Sequence, residues 1–145
     1  MIESKKILIV EDNPNDIELI LEALSESNLA KRVVVVNDGK KALEYLNYEG
    51  SFKKREKEYP AVILLDVKMP LMDGIEVLQI IKSDPKLKSI PVVMLSSSSE
   101  DHDLKKCYEL GVNAFIVKPV SFNQFIDVVK QCGIFWTNFN KLHNN

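Results

Sequence analysis

The chain lacks the features that mark several large protein classes. It has two cysteines, Cys107 and Cys132, far apart and without the paired spacing of a metal site. Two thiols close one bridge at most, so no disulfide framework is implied, and both read as small apolar residues in helices. Basic charge is not in excess: 19 Lys and Arg face 21 Asp and Glu, for a formal net charge of -2. That balance argues against a partner held by its nucleic-acid phosphates. No apolar run approaches the roughly 20 residues that span a bilayer, so no membrane partner is expected. The opening Met1 to Lys6 leads into a short apolar stretch, Ile7 to Val10. It is too short for a signal-peptide core and has no small-residue cleavage site behind it. His102 and His143 have no triad or metal partners in sequence and read as surface residues. A cytoplasmic location is the expectation.

What is present fits one domain over residues 1–145, with 46% hydrophobic and 28% charged residues. Five apolar runs recur: Lys6 to Val10, Arg32 to Val36, Ala61 to Leu65, Ile90 to Leu95, and Ala114 to Val117. The runs beginning at Ile7, Ala61 and Pro91 are almost continuously apolar, as strands covered on both faces must be. Helical patterns separate them. Asn13 is placed to cap a helix with Pro14 and Asp16 in its first turn and a stripe of Ile17, Ile20, Leu21 and Leu24. Asp38 precedes a second helix, and Asp73 with Glu76 opens a third carrying Val77, Leu78 and Ile81. A fourth begins around Glu100, turns Leu104, Cys107 and Tyr108 inward, and ends at Gly111. Ser121 and Gln124 form a capping box for the fifth, whose stripe is Phe122, Phe125, Ile126 and Val129. Strands alternating with helices in this way predict an α/β fold with a parallel five-stranded sheet. The Lys- and Glu-rich segment Ser51 to Tyr59 reads as a solvated loop.

In an open parallel sheet, ligands bind beyond the carboxyl ends of the strands. Glu11 and Asp12 follow the first strand, Asp66 the third, Ser96 the fourth, and Lys118 with Pro119 the fifth. Each alone has a bland explanation: an acid as a helix cap, a serine as turn chemistry, a lysine as a solvated charge. Their arrival together at matching strand ends is hard to dismiss as coincidence. Three close carboxylates demand raised pKa values or a cation, and a few hard oxygen donors suit Mg2+. Lys118 supplies a point charge and Ser96 a hydroxyl for the oxygens of a phosphoryl group, with a carboxylate as nucleophile.

Over roughly Lys5 to Gln131 the chain resembles the receiver domains of two-component response regulators. The segments that carry the resemblance are Ile7 to Asn13, Leu64 to Pro70 with Asp73-Gly74, Pro91 to Ser96, and Val117 to Pro119. The resemblance implies a flavodoxin-like (βα)5 fold, doubly wound, with strand order 2-1-3-4-5. It makes Asp66 the phosphoacceptor and Asp12 a direct ligand of Mg2+, with Glu11 reaching the ion directly or through water. The backbone carbonyl of Lys68 is a further ligand, Ser96 the hydroxyl that moves on activation, and Lys118 the amine that contacts the phosphoryl group. Lys118-Pro119 matches a peptide bond that is usually cis in the family. Phe115 stands at the switch-aromatic position, where Tyr is frequent, and lacks the hydroxyl that Tyr offers to partners. The implied output is a population shift that reshapes the face of the fourth helix, fifth strand and fifth helix. Partners so implied are a histidine kinase or phosphotransfer protein and a downstream protein target.

A narrower similarity is carried by Asp12 to Leu19, the Lys-rich loop before the third strand, and Gly133-Ile134-Phe135-Trp136. These look like the stand-alone regulators paired with bacterial phytochromes, several of which form homodimers. Phe135, Trp136 and Phe139, in a tail over 132–145, either fold back as core or form an apolar patch for a partner or second subunit. The side chains of Lys68 and Ser98 are expected to flank the path of attacking water and tune phosphoryl lifetime, while Ser97 to Ser99 shape the loop. Three rival readings remain. A phosphatase with an aspartyl intermediate needs an acid two residues past the nucleophile, where Lys68 stands, so the chain is not expected to turn over outside substrates. A flavin carrier needs a phosphate cradle where Glu11 and Asp12 would repel one. The third is a receiver-like module that acts by binding alone.

Overall fold

The computed structural model describes residues 5–97, 101–118 and 121–141, residues 101 and 102 through their backbone only. Five parallel strands, β1 (Ile7–Val10), β2 (Val33–Val36), β3 (Val62–Asp66), β4 (Val92–Ser96) and β5 (Ala114–Val117), lie in the order β2-β1-β3-β4-β5. This is the expected doubly wound arrangement. The three runs read as continuously apolar are its three inner strands, β1, β3 and β4, buried at every position. The edge strands β2 and β5 are partly open, with Val35 and Val117 exposed. The contrast follows from geometry: an inner strand meets helices on both faces, an edge strand has one open side.

Helices α1 (Pro14–Glu26), α2 (Gly39–Leu46), α3 (Gly74–Ser83), α4 (Asp101–Leu110) and α5 (Phe122–Ile134) fill the crossovers. Alternate strand residues feed two cores. Leu8, Val10, Ile63, Leu65 and Met94 pack with Leu46, Val77, Leu78, Ile81 and Cys107 of α2, α3 and α4. Ile7, Ile9, Leu64, Val93 and Leu95 pack with Ile20, Leu24, Phe125 and Val129 of α1 and α5.

The helix starts follow the sequence closely. Asn13 Oδ1 accepts from the amide of Asn15 at 2.9 Å, Asp38 Oδ1 from that of Lys41 at 2.7 Å, and Asp73 with Glu76 forms a reciprocal capping box. Ser121 Oγ accepts from the amide of Gln124, which is the serine's half of the expected box. The predicted start of α4 at Glu100 lies outside the described residues. Two apolar positions face water against expectation. Tyr108 is 54% exposed because α4 turns Cys107 to the sheet, and the next residue is rotated by about 100°. Phe122, 52% exposed, is the first residue of α5, one turn before the buried Phe125 and Ile126.

The segment before β3 is not simply a solvated loop. Arg55 stacks over Tyr45 and Tyr48, its guanidinium carbon 3.9 and 4.1 Å from the ring centroids. Its Nε donates to Tyr45 O and its Nη1 to Glu56 O and Glu58 O, at 2.8 to 2.9 Å. A planar, five-donor group is needed for this, so Arg55→Lys should not replace it. Arg55→Ala is expected to lower stability by about 2 kcal/mol in chemical denaturation, with Arg55→Lys nearly as damaging.

The aromatic tail is partly packed and partly exposed. α5 runs into a π-helical turn, Phe135–Phe139, in which buried Thr137 donates through Oγ1 to Gly133 O at 2.7 Å. Trp136 packs on the α1–α5 core and meets the Phe135 ring edge-on, while Phe135 and Phe139 are exposed. Gly133 makes the close approach of α5 to α1 possible: a Cβ there would lie 2.6 Å from Leu24 Cδ2. None of the described helices is long and apolar enough to cross a membrane.

Candidate functional site

Parallel pairing brings the strand ends to one edge. Val10 is in register with Leu65, Asp66 with Leu95, and Ser96 with Val117, so the residues ending β1, β3, β4 and β5 emerge side by side. The ladder carries a little further: Glu11 N donates to Val36 O at 3.1 Å and Lys118 N to Ser96 O at 2.6 Å. The turn after β3 closes tightly, with Gly74 N donating to Val67 O at 2.9 Å.

At this edge one carboxylate oxygen each from Glu11, Asp12 and Asp66 lies within 4.8 Å of the others. Glu11 and Asp66 are buried, at 1% and 7% exposure, and Asp12 is open to solvent. Lys118 Nζ reaches in from β5, 3.1 Å from Glu11 Oε1, 3.1 Å from Asp66 Oδ1 and 2.8 Å from Asp16 Oδ2. One ammonium therefore faces several acids. Burial pushes Glu11 up to about 7, helped by the charge of Asp66 and opposed by Lys118. Burial also raises Asp66, against the attraction of Lys118, with Asp12 and Asp16 adding to the rise. For Lys118 burial alone would lower the pKa. The hydrogen bond to Asp16 and the charges of Asp66 and Glu11 outweigh it and leave the amine more basic than usual.

This donor set fits Mg2+. The donors are hard oxygens, their combined charge exceeds what Lys118 balances, and exposed Asp12 leaves room for the waters that Mg2+ retains. A pH dependence follows. The folded pKa of Glu11 lies above its ordinary value of 4.5, so its protonation favours the metal-free fold. That contribution is complete below the unfolded pKa and is lost as pH rises through the folded value. Metal-free protein should therefore lose stability between about pH 5.5 and about pH 8, and Mg2+ should bind more weakly at the acid end because protons compete for Glu11. Denaturant midpoints with and without Mg2+ at both values check this, and an affinity that rises on acidification would contradict it.

The other anticipated residues are placed as follows. Ser96 is buried at the end of β4. Phe115, half-buried in β5 opposite Met94, packs against the core beneath α2, α3 and α4. The Lys68 side chain, expected along the path of attacking water, makes an ion pair with buried Asp103 of α4 at 3.6 Å. Ser98, the Lys118-Pro119 bond, the His102 side chain and His143 lie outside the described residues. Sequence reasoning missed Asp16 as a member of the site. As a first-turn acid of α1 it has an ordinary helix-start explanation, so the local pattern carries no signal of its place in the site.

Residues 7–130 match the response regulator receiver domain. The chain belongs to the response regulator receiver family. Among curated relatives it is 38% identical over 136 residues to the probable methanogenesis regulatory protein FilR2 of Methanothrix harundinacea, covering 93% of this chain and 85% of that one. It is 36% identical over 132 residues to response regulator Rcp1 of Synechocystis, covering 91% and 88%. Among solved structures it is similar to the phosphorylated cyanobacterial phytochrome response regulator RcpA, with 45% identity, a TM-score of 0.88, and 97% and 99% of the two chains covered. The Mn(2+)-bound form of Rcp1 matches at 35% identity and a TM-score of 0.87 over 97% and 99%. The bacteriophytochrome response regulator RtBRR is 55% identical with a TM-score of 0.77, over 96% and 84%. In this receiver the acidic cluster is the magnesium site, and signalling in a two-component system is its function.

Proposed function

We propose that Asp66 accepts the phosphoryl group and that the whole chain acts as one receiver unit. The observation that carries this is the Lys118 ammonium 3.1 Å from Asp66 Oδ1, beside the cluster of Glu11, Asp12 and Asp66. An Asp66 oxygen attacks phosphorus in line, the P–O bond forms, and the bond to the donor's leaving group breaks. The donor is a phosphohistidine of a kinase or phosphotransfer protein, or acetyl phosphate in vitro. Lys118 pairs with one phosphoryl oxygen and Ser96 donates its hydroxyl to another. Glu11, Asp12, Asp66 and the carbonyl of Lys68 would hold Mg2+, and the bound ion would supply positive charge against the gathering oxygens. Since Lys68 stands where a phosphatase would carry its acid, the acyl phosphate is a signal and not an intermediate of turnover on other substrates.

The partner we favour is a phytochrome-type histidine kinase in the cytoplasm, supported by relatives described as phytochrome and bacteriophytochrome response regulators. Output runs through protein contacts. Inward movement of Ser96 and Phe115 shifts the face of α4, β5 and α5, and exposed Phe135 and Phe139 offer apolar area to a target or a second copy. The test is intact-protein mass after incubation with acetyl phosphate. A gain of one phosphoryl group that needs both Mg2+ and Asp66 is expected. A gain that survives Asp66→Asn, or none in the wild type, would leave binding without phosphorylation as the function.

A further inference from the structure

Asp16 needs no functional reason to be acidic. It occupies the first turn of α1, where a carboxylate is favoured by the helix dipole, and its amide is already capped by Asn13. Yet its side chain, 26% exposed, turns to Lys118, 102 residues away, and makes the shortest of that amine's three contacts, 2.8 Å against 3.1 Å to Glu11 and Asp66. Asp16 also differs from those two acids in its surroundings. The oxygens that gather around a cation come from Glu11, Asp12 and Asp66, and Asp16 is not among them. A divalent ion thus competes with Lys118 for Glu11 and Asp66 but leaves the contact with Asp16 alone.

We propose that Asp16 is a positioning residue: it tethers Lys118 to α1, so that the amine stays beside Asp66 while the cation takes over Glu11 and Asp66. This rests on the reading of Asp66 as phosphoacceptor for its consequence in phosphoryl transfer, but not for its effect on cation binding. Without the tether, the ammonium of the metal-free protein settles wholly on Glu11 and Asp66 and must be displaced from them by the ion. A simple charge effect runs differently. In the wild type Lys118 offsets the charge of Asp16, so a direct attraction between Asp16 and the cation would be felt most once Lys118 has gone.

The test is a double-mutant cycle on Mg2+ affinity by calorimetry, with Asp16→Asn, Lys118→Met and the pair. Asp16→Asn should weaken Mg2+ binding about fivefold in the wild-type background and change it less than about twofold beside Lys118→Met. Asp16→Glu, which keeps the charge within reach, should recover most of the affinity. Equal or larger weakening in the Lys118→Met background overturns the tether in favour of plain electrostatics, and an unchanged affinity in Asp16→Asn alone overturns it outright. The same cycle read as the acetyl phosphate reaction rate at saturating Mg2+ should show about a tenfold slowing that vanishes when Lys118 is absent. Slowing of the same size in both backgrounds would count against the tether. A protein that passes the binding cycle but takes up no phosphoryl group keeps the tether and loses the assignment of Asp66.

Discussion

Lys118→Met should slow phosphoryl uptake by at least about a hundredfold and also destabilise the metal-free protein by about 2–3 kcal/mol. The two effects have one origin. The ammonium is largely buried, with its side chain 13% exposed, and it is the cation that Glu11, Asp16 and Asp66 share. Removing it leaves buried carboxylates that repel one another, and they can relieve this only by taking up protons or binding a cation. Stability lost at about pH 8 should therefore be recovered by Mg2+ or by acidification, and Mg2+ should bind more tightly because no amine competes. Under the proposed function Lys118 also pairs with the transferred group, so phosphoryl uptake should not return with Mg2+. Denaturation with and without Mg2+, beside intact-mass kinetics, separates the two losses. If metal-free Lys118→Met proves as stable as the wild type, the amine is not what balances the cluster.

Gly74→Ala is expected to cost about 3–4 kcal/mol, although alanine is the better helix former by about 1 kcal/mol. Gly74 opens α3 directly behind Asp66, and a Cβ there would overlap the carbonyl oxygen of Asp66. Backbone cannot swing aside as a side chain does, so the turn between β3 and α3 must open and the Gly74 N to Val67 O hydrogen bond must lengthen. Because the displaced residue carries a metal-binding carboxylate, Mg2+ affinity should fall as well. Gly39→Ala is the control: its Cβ would press mainly on side-chain atoms of Val77 and Met72, which have rotamers to use, and a smaller loss is expected. Urea midpoints for the two variants decide the matter. A Gly74→Ala protein within about 1 kcal/mol of the wild type would show that the turn has slack.

Much of this architecture was legible from local pattern. The three continuously apolar runs became the three covered strands, and Asn13, Asp38, Asp73 and Ser121 cap the helices they announce. The acids, hydroxyl and amine at the strand ends were legible too, because in a parallel sheet every strand delivers its last residue to the same edge. Tyr108 and Phe122 face water although they lie on apolar stripes. Periodicity reports that a helix has an apolar side, but not how that side is aimed or how far the sheet beneath it extends.

The sequence by itself determined the fold class, the strand ends that hold the chemistry and the family to which they belong. Each of these rests on short local patterns that recur along the chain. Only the tertiary structure decided that Lys118 would choose Asp16 as its nearest partner, that Arg55 would gather a charged segment around two tyrosines, and that Trp136 would pack against the core while Phe135 and Phe139 stayed outside. Those outcomes depend on which surfaces the chain brings together across long separations. A one-dimensional pattern of polar and apolar residues states what each surface is, and the packing of the whole molecule selects what it meets.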